Sequence, residues 1–418
     1  MSSASGPDRP EDSATWAELI GDVTPDPEAT ARFLTLWHGG ALRSASSGGQ
    51  DWGRGLVGFT ALPSAVNKCR TVDAMVQTVN SQGLNELVFT GQDDRALAKG
   101  QNLYHAAAIL GRPPRGRSRG KKADFAGSPG CWVDLDCKPG AFENWKQILD
   151  VVQKAESAGI PPAILISSGS GGAHLYWRIE GGLAPKQTEI FNQRIESWIR
   201  ETTGKKVDGT HEITRLMRTP GGIRWPKSGG KDTARGSTPQ PVEMLRADDR
   251  WTALEDIVEV TEGAWSRVAE RRSAARTEIQ ASTASFQEFL RDVHFESAEG
   301  YSRDYMIAHA DELFAERHTW DEILAPKGWT LYAGPDSEGR REWTRPGEGK
   351  KNPRSLVTDW IGSPHVASLV SEADETGLLR LKNAGVALTK ARVAAELHFG
   401  GDYHRMMVGF LGAVERER

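Results

Sequence analysis

Two aspartates one residue apart, Asp134 and Asp136, sit in the stretch GCWVDLDCKPG at 130–140. Cys131, Trp132 and Val133 lead into them as a strand. Strand side chains alternate faces, so both carboxylates project the same way, about 6.6 Å apart along the chain. Like charges at that spacing repel, and a divalent cation between them removes the repulsion. Oxygen-only ligands suit Mg²⁺ or Mn²⁺ rather than zinc. The competing reading is a solvated strand end with two harmless acids, and the DxD pattern alone does not choose between them. The same alternation sends Cys131, Val133, Leu135 and Cys137 to the opposite face, which makes both cysteines packing residues.

Two later stretches extend the chemistry. SSGSGGAHLYW, 167–177, puts three glycines and several serines between two strand-like segments. Backbone N–H groups and hydroxyls in such a turn, with Ser168, Ser170 and Gly172, can approach a phosphate closely. His174 stands at its rim, although a lone histidine is more often structural. VDGTHEITRLMRTPGGIRWPK, 207–227, carries Asp208 followed by Arg215, Arg218, Arg224 and Lys227. A further acid for metal and several cations for a triphosphate are what nucleotidyl transfer requires. A polar surface loop is the plainer alternative. Upstream, GRPPRGRSRGKK at 111–122 has six cationic residues in twelve and no acid. Its glycines and prolines exclude a helix, so it reads as a mobile basic loop carrying Arg115, Arg117, Arg119, Lys121 and Lys122.

The elements that must position these residues mix helices and strands. Helices are expected over 27–38, 72–83 (ending at Gly83), 142–158 and 185–202. Strands are expected at 56–62, 86–91, 102–109, around CWVDLD, at 163–167 and at 173–179. That pattern is α+β. Residues 1–25, rich in Ser, Pro, Asp and Glu, are expected to be a disordered tail. The catalytic unit spans 26–245, and a charged helical connector fills 246–285. A small α/β module occupies 286–418, with helices at 286–295 and 303–316, short strands near Trp329, Trp343, 356–360 and 366–369, and a last helix interrupted at Gly400–Gly401.

The 418 residues suffice for two or three domains, and 38% apolar with 26% charged residues marks a soluble globular chain. A net charge of −4 says little about partners, because charge can be segregated locally. Three cysteines exclude a disulfide framework and point to a reducing compartment. The absence of a long apolar run or a signal-like N-terminus leads to a cytoplasmic expectation with no membrane partner. No GxxxxGK[ST] is present, so no ATP-driven motor of that type is expected in this chain.

In order, these motifs resemble the archaeo-eukaryotic primase superfamily, and more narrowly the bifunctional primase–polymerase domains of phages, plasmids and other mobile elements. The resemblance covers about residues 28–245. QNLYHAAAIL matches an early strand, and RGRSRGKKADF the basic lead into the first motif. CWVDLD matches the hydrophobic-DxD motif, SGSGGAHLYW the second motif and VDGTHEITRLMRTPGG the third. The resemblance implies an RRM-like catalytic domain in which Asp134, Asp136 and Asp208 are catalytic and hold two Mg²⁺ or Mn²⁺ ions, with no zinc. It implies that His174, with Ser168, Ser170 and Gly172, binds the incoming nucleotide's phosphates. Arg215, Arg218 and Lys227 would lie near the triphosphate or template, and the basic loop would bind DNA phosphates. His211 stands where a second acid is frequent, and PGGIRWPK carries Arg224 in place of an asparagine, with its lysine one position late.

The implied activity is template-dependent nucleotidyl transfer, as DNA primase or polymerase, on single-stranded DNA with ribo- or deoxynucleoside triphosphates. The C-terminal module resembles the one following the catalytic domain in actinophage primase-like proteins. Residues 286–418 contain no cysteine, which excludes a zinc ribbon of the usual kind. Trp329, Trp343 and Trp360 beside Arg345, Lys350, Lys351 and Arg354 suit either a stacking surface for single-stranded DNA or a small core. Two other functions share part of the pattern. A DxD glycosyltransferase holds a nucleotide diphosphate, but needs neither the glycine–histidine turn nor the arginine-rich third motif. A non-catalytic replication initiator would not need all three acids.

Overall fold

The computed structural model describes residues 23–39, 55–62, 66–88, 102–115, 119–138, 140–225, 238–292, 303–347, 355–360, 363–370 and 377–416. The expected tail therefore lies almost wholly outside the described residues, as do Arg117, Lys227, Lys350, Lys351 and Arg354. The chain divides into two compact units, Met1–Trp265 and Ser266–Arg418.

The first unit opens with α1 (Pro27–Leu34). Asp26 caps it by accepting from Ala29 N, and Pro27 occupies the first turn, where its missing N–H costs nothing. A π-helical turn, Thr35–Gly39, then carries Trp37 and His38 into the core. Strands β1 (Leu56–Leu62) and β2 (Val66–Thr71) pair antiparallel, and α2 (Val72–Val88) follows. Gly83, at φ 74°, breaks α2 where the sequence predicts its end. The strand expected at 86–91 is not formed over its first three residues, which resume a helical turn through Val88; an apolar run this short suits either state. Residues 89–91 lie outside the described residues. The single strand expected at 102–109 is split by a bend at Ala107–Ala108 into β3 (Asn102–Ala106) and β4 (Ile109–Leu110).

β5 (Phe125–Leu135), β6 (Ile164–Ser167) and β7 (Ala173–Leu183) are neighbours in a sheet of nine strands among the described residues. Their described pairings are antiparallel, as are those of β8 (Leu216–Arg218) with β3 and β11 (Glu243–Ala247) with β6. The order is β11-β6-β7-β5-β4-β1-β3-β8, with β2 on β1. A short ladder joins β9 (Ile223–Arg224) to β10 (Gln240–Pro241).

Alternation along β5 divides two cores. Cys131, Val133 and Leu135 pack with Leu175 and Trp177 of β7 and with α3 (Trp145–Ser157) and α4 (Pro185–Thr203). Cys137, two residues past the end of β5, also packs there. Trp132 and Tyr176 face the other way, into a cluster with Phe33, Trp37, Phe59 and Met217. Trp37 Nε1 donates to Ala107 O at 2.8 Å, satisfying a buried donor.

A long helix, α5 (Leu254–Asp292), runs past the end of this unit. In the second unit follow α6 (Arg303–Arg317), α7 (Trp320–Leu324), α8 (Leu378–Asn383), α9 (Lys390–Phe399) and α10 (Tyr403–Arg416). Its sheet is β12 (Thr330–Ala333), β13 (Arg341–Thr344), β14 (Leu356–Thr358), β15 (Val366–Leu369) and β16 (Leu388–Thr389), antiparallel in chain order. Trp329 and Trp343 are buried with Trp320 in its core, so they belong to packing and offer no face for stacking bases. Lys390 Nζ reaches the carbonyls of Ala315 and His318 at 2.9 and 2.7 Å, a cation placed at the end of α6.

Candidate active site

Asp134 is the next-to-last residue of β5, directly opposite His174 of β7, which in turn faces Ile166 of β6. Side chains paired this way share a sheet face. His174 Nε2 lies 3.7 Å from Asp134 Oδ1, and Nδ1 has no hydrogen-bond partner among the described residues. Beyond the strand end, Lys138 places its Nζ 3.5 Å from Asp136 Oδ2 and bonds Asp208 Oδ2 as well. Arg215 Nη2 lies 3.5 Å from Asp134 Oδ2. The three acids and His174, Arg215 and Lys138 thus form one polar cluster, assembled from β5, β7 and the loop before β8.

Asp208 comes from the loop between α4 and β8, and that loop is tied down residue by residue. Arg200 Nη2 donates to Val207 O at 2.8 Å, and Thr210 N donates to Glu196 Oε1 at 2.8 Å. Trp132 Nε1 donates to Thr210 O at 3.0 Å. Asn192 accepts from Trp132 N at 2.9 Å and donates to His211 O at 3.3 Å, joining β5 to the same loop. His211 Nδ1 stands 3.5 Å from Glu196 Oε2. Sequence reasoning missed Asn192, Glu196 and Lys138. The signal for the first two was available, since polar residues four apart on an amphipathic helix share a face. Lys138 sits two residues past Asp136, beyond the strand where alternation stops being a guide.

Arg218 is turned aside by a different pair of contacts. Its Nη1 donates to Asn102 Oδ1 at 2.6 Å, and its guanidinium lies 5.6 Å from the Tyr104 ring centre. Its charge nevertheless reaches the site, since it acts on both Asp134 and His174.

The glycine-rich turn abuts the end of β5. A Cβ on Gly172 would fall 2.5 Å from Leu135 O, and one on Gly169 would fall 2.9 Å from both Arg224 Cβ and Pro241 O. These glycines serve close approach between protein segments. Ser168 and Ser170 are buried, with their hydroxyls 2.9 Å apart in a mutual hydrogen bond. In the basic loop, Arg115, Arg119 and Lys121 are exposed, while Lys122 pairs with Glu189 at 2.7 Å.

Burial raises the Asp134 carboxyl from 3.8 to about 7, with Asp136 and Asp208 adding to the shift and Arg215 and Arg218 opposing it. Burial, with Arg218 and Arg215, lowers His174 to about 3, against a smaller opposing effect from Asp136, so its ring is neutral at physiological pH. Burial disfavours the charge of Arg215, but Asp134, Glu212 and Asp208 outweigh it and raise its pKa.

Among the described residues, no group of three or more His, Cys, Asp or Glu side chains is arranged to hold a metal as it stands. Lys138 and Arg215 lie against the carboxylates instead. The donor set still fits a hard divalent cation. Its ligands are all oxygens, Asp134 is destabilised by its acidic neighbours, and one ammonium already reaches both Asp136 and Asp208.

Three solved structures resemble this chain in part. The catalytic domain of primase RepB′ in complex with initiator DNA matches at 10% identity, over 58% of this chain and 97% of its own, with a TM-score of 0.32. Primase RepB′ matches at 12% identity over 71% and 85%, with a TM-score of 0.33. The AEP domain of the cyanophage S-2L primase–polymerase matches at 13% identity over 54% and 99%, with a TM-score of 0.30. No protein-family model and no curated protein matches the chain. All three neighbours are described as primases or primase–polymerases. Their TM-scores denote loose superpositions, so the functional reading rests on the residues of the site. Among the described residues, no helix is long and apolar enough to cross a membrane.

Proposed function

We propose that Met1–Trp265 carries a template-directed nucleotidyltransferase, a DNA primase or polymerase acting on single-stranded DNA with nucleoside triphosphates. The observation that carries this reading is the clustering of Asp134, Asp136 and Asp208 with His174 and Arg215, from segments up to 81 residues apart. Asp134, Asp136 and Asp208 would hold two Mg²⁺ or Mn²⁺ ions. Bound there, the ions would supply Lewis-acid stabilisation of the attacking and leaving oxygens. His174, neutral and buried, offers a ring N–H to a phosphate oxygen without adding charge. Arg215, backed by Arg218, faces the charge that develops on a transferring phosphoryl group. Glu196 and Asn192 hold the Asp208 loop in place, and the exposed Arg115, Arg119 and Lys121 suit template phosphates. A replicative helicase on a separate chain and a role in phage, plasmid or mobile-element replication belong to the same reading.

The test is incubation with unprimed and primed single-stranded DNA, labelled nucleotides and Mn²⁺ or Mg²⁺. Template-dependent products are expected, and their length and sugar type define priming and nucleotide preference. No incorporation on either template with either metal would return the protein to a non-catalytic DNA-binding role. Turnover of a nucleotide sugar would instead make it a glycosyltransferase.

A further inference from the structure

We propose that Lys138 is a built-in counter-cation, holding the place of a divalent metal between Asp136 and Asp208 and leaving when the metal binds. The inference rests on the nucleotidyl-transfer reading in taking those two carboxylates as metal ligands. Lys138 Nζ bonds Asp208 and lies 3.5 Å from Asp136, so one ammonium bridges two acids that are 72 residues apart in the chain. Asp134 has its own cation in Arg215. Three carboxylates gathered in a partly buried cleft repel one another, and Lys138 and Arg215 offset that repulsion without metal.

The geometry favours release of Lys138 rather than of Arg215. The Lys138 backbone is fixed, its N–H donating to Phe142 O at 3.0 Å and its carbonyl accepting from Ala141 N at 3.0 Å. Lys138 and Arg215 are about equally exposed, but the lysine carries a compact ammonium on a flexible stem, which can swing to solvent while the turn stays in place, whereas the guanidinium is a rigid planar fork. A metal must therefore compete with an internal ligand for the same oxygens, and removing that ligand should tighten metal binding.

The measurement is a Mn²⁺ titration of the full chain, with free Mn²⁺ read by electron paramagnetic resonance. Wild type is compared with Lys138→Met, with Asp208→Asn and with Lys205→Met. Lys205 pairs with Glu143, so its variant makes the same change of charge without touching the three acids. Lys138→Met is expected to bind Mn²⁺ about fivefold more tightly than wild type, the loss of one competing ion pair. Lys205→Met should stay within about twofold, and Asp208→Asn should bind more weakly. Without metal, Lys138→Met should melt below wild type, and saturating Mn²⁺ should close that gap. Equal or weaker binding by Lys138→Met, or equal tightening by Lys205→Met, overturns the inference and leaves the nucleotidyl-transfer reading standing. Failure of every form to bind Mn²⁺ overturns both.

Discussion

Asp134 and His174 stand opposite each other on neighbouring antiparallel strands, 3.7 Å from Oδ1 to Nε2, with the histidine buried and burial raising the carboxyl's pKa to about 7. A buried acid pressed by two other acids is a poor choice for stability. Such a cost is characteristic of sites kept for chemistry.

Asp134→Asn should therefore abolish nucleotide incorporation, by at least about 100-fold, while leaving thermal stability unchanged or raised by about 1 kcal/mol. Primer extension and a melting curve on the same preparation check both halves. An active Asp134→Asn protein would remove Asp134 from the metal site.

Glu196 touches none of the reacting groups, but it holds the loop that carries Asp208. Glu196→Ala leaves the buried Thr210 N–H without its acceptor and should cost about 2–3 kcal/mol. Glu196→Gln keeps an acceptor oxygen and should recover most of that. Hydrogen exchange over Val207–His211 should accelerate in the alanine variant, with kcat falling more than the nucleotide KM rises.

Gly172→Ala places a methyl group 2.5 Å from Leu135 O, a backbone atom that cannot move without shifting the end of β5. A loss of about 1–3 kcal/mol is expected, together with reduced incorporation, because Asp136 lies at the same strand end. Gly409→Ala in α10 has nothing within 4 Å and should be neutral or stabilising by up to about 1 kcal/mol. Denaturant midpoints for the two variants make the comparison.

His38 and His105 lie in the first core, and burial lowers His38 to about 3 and His105 well below its ordinary value. The folded state therefore binds fewer protons than the unfolded state. The stability these residues allow is complete above pH 6.5 and is lost as pH falls from there towards 3. His38 should cost about 2 kcal/mol between pH 6.5 and pH 5, and His105 adds to the loss in the same direction. Urea midpoints at pH 7.5, 6 and 5 should fall less steeply in His38→Phe than in wild type. Parallel slopes would show that His38 does not carry the effect.

Period-two alternation in CWVDLDC was enough to separate the packing residues Cys131, Val133 and Leu135 from the face bearing Asp134, because a strand admits only two directions. The helices expected at 27–38, 142–158 and 185–202 stand at Pro27–Leu34, Trp145–Ser157 and Pro185–Thr203, because apolar spacing marks a helix better than it marks its ends. The segment at 86–88 was not legible, because a short apolar run satisfies helix and strand equally. The site divides in the same way. Its acids, histidine and arginines are nameable from residue type and order. That Asp208 and Asp136 share Lys138 depends on Glu196 and Asn192 pinning a loop 14 and 19 residues away and on Trp132 tying it to β5 across 60 and 78 residues, and no local pattern encodes the longer contacts. Only tertiary structure could set Lys138 between the two acids, since its place follows from a turn fixed by Phe142 and from a carboxylate delivered by another segment.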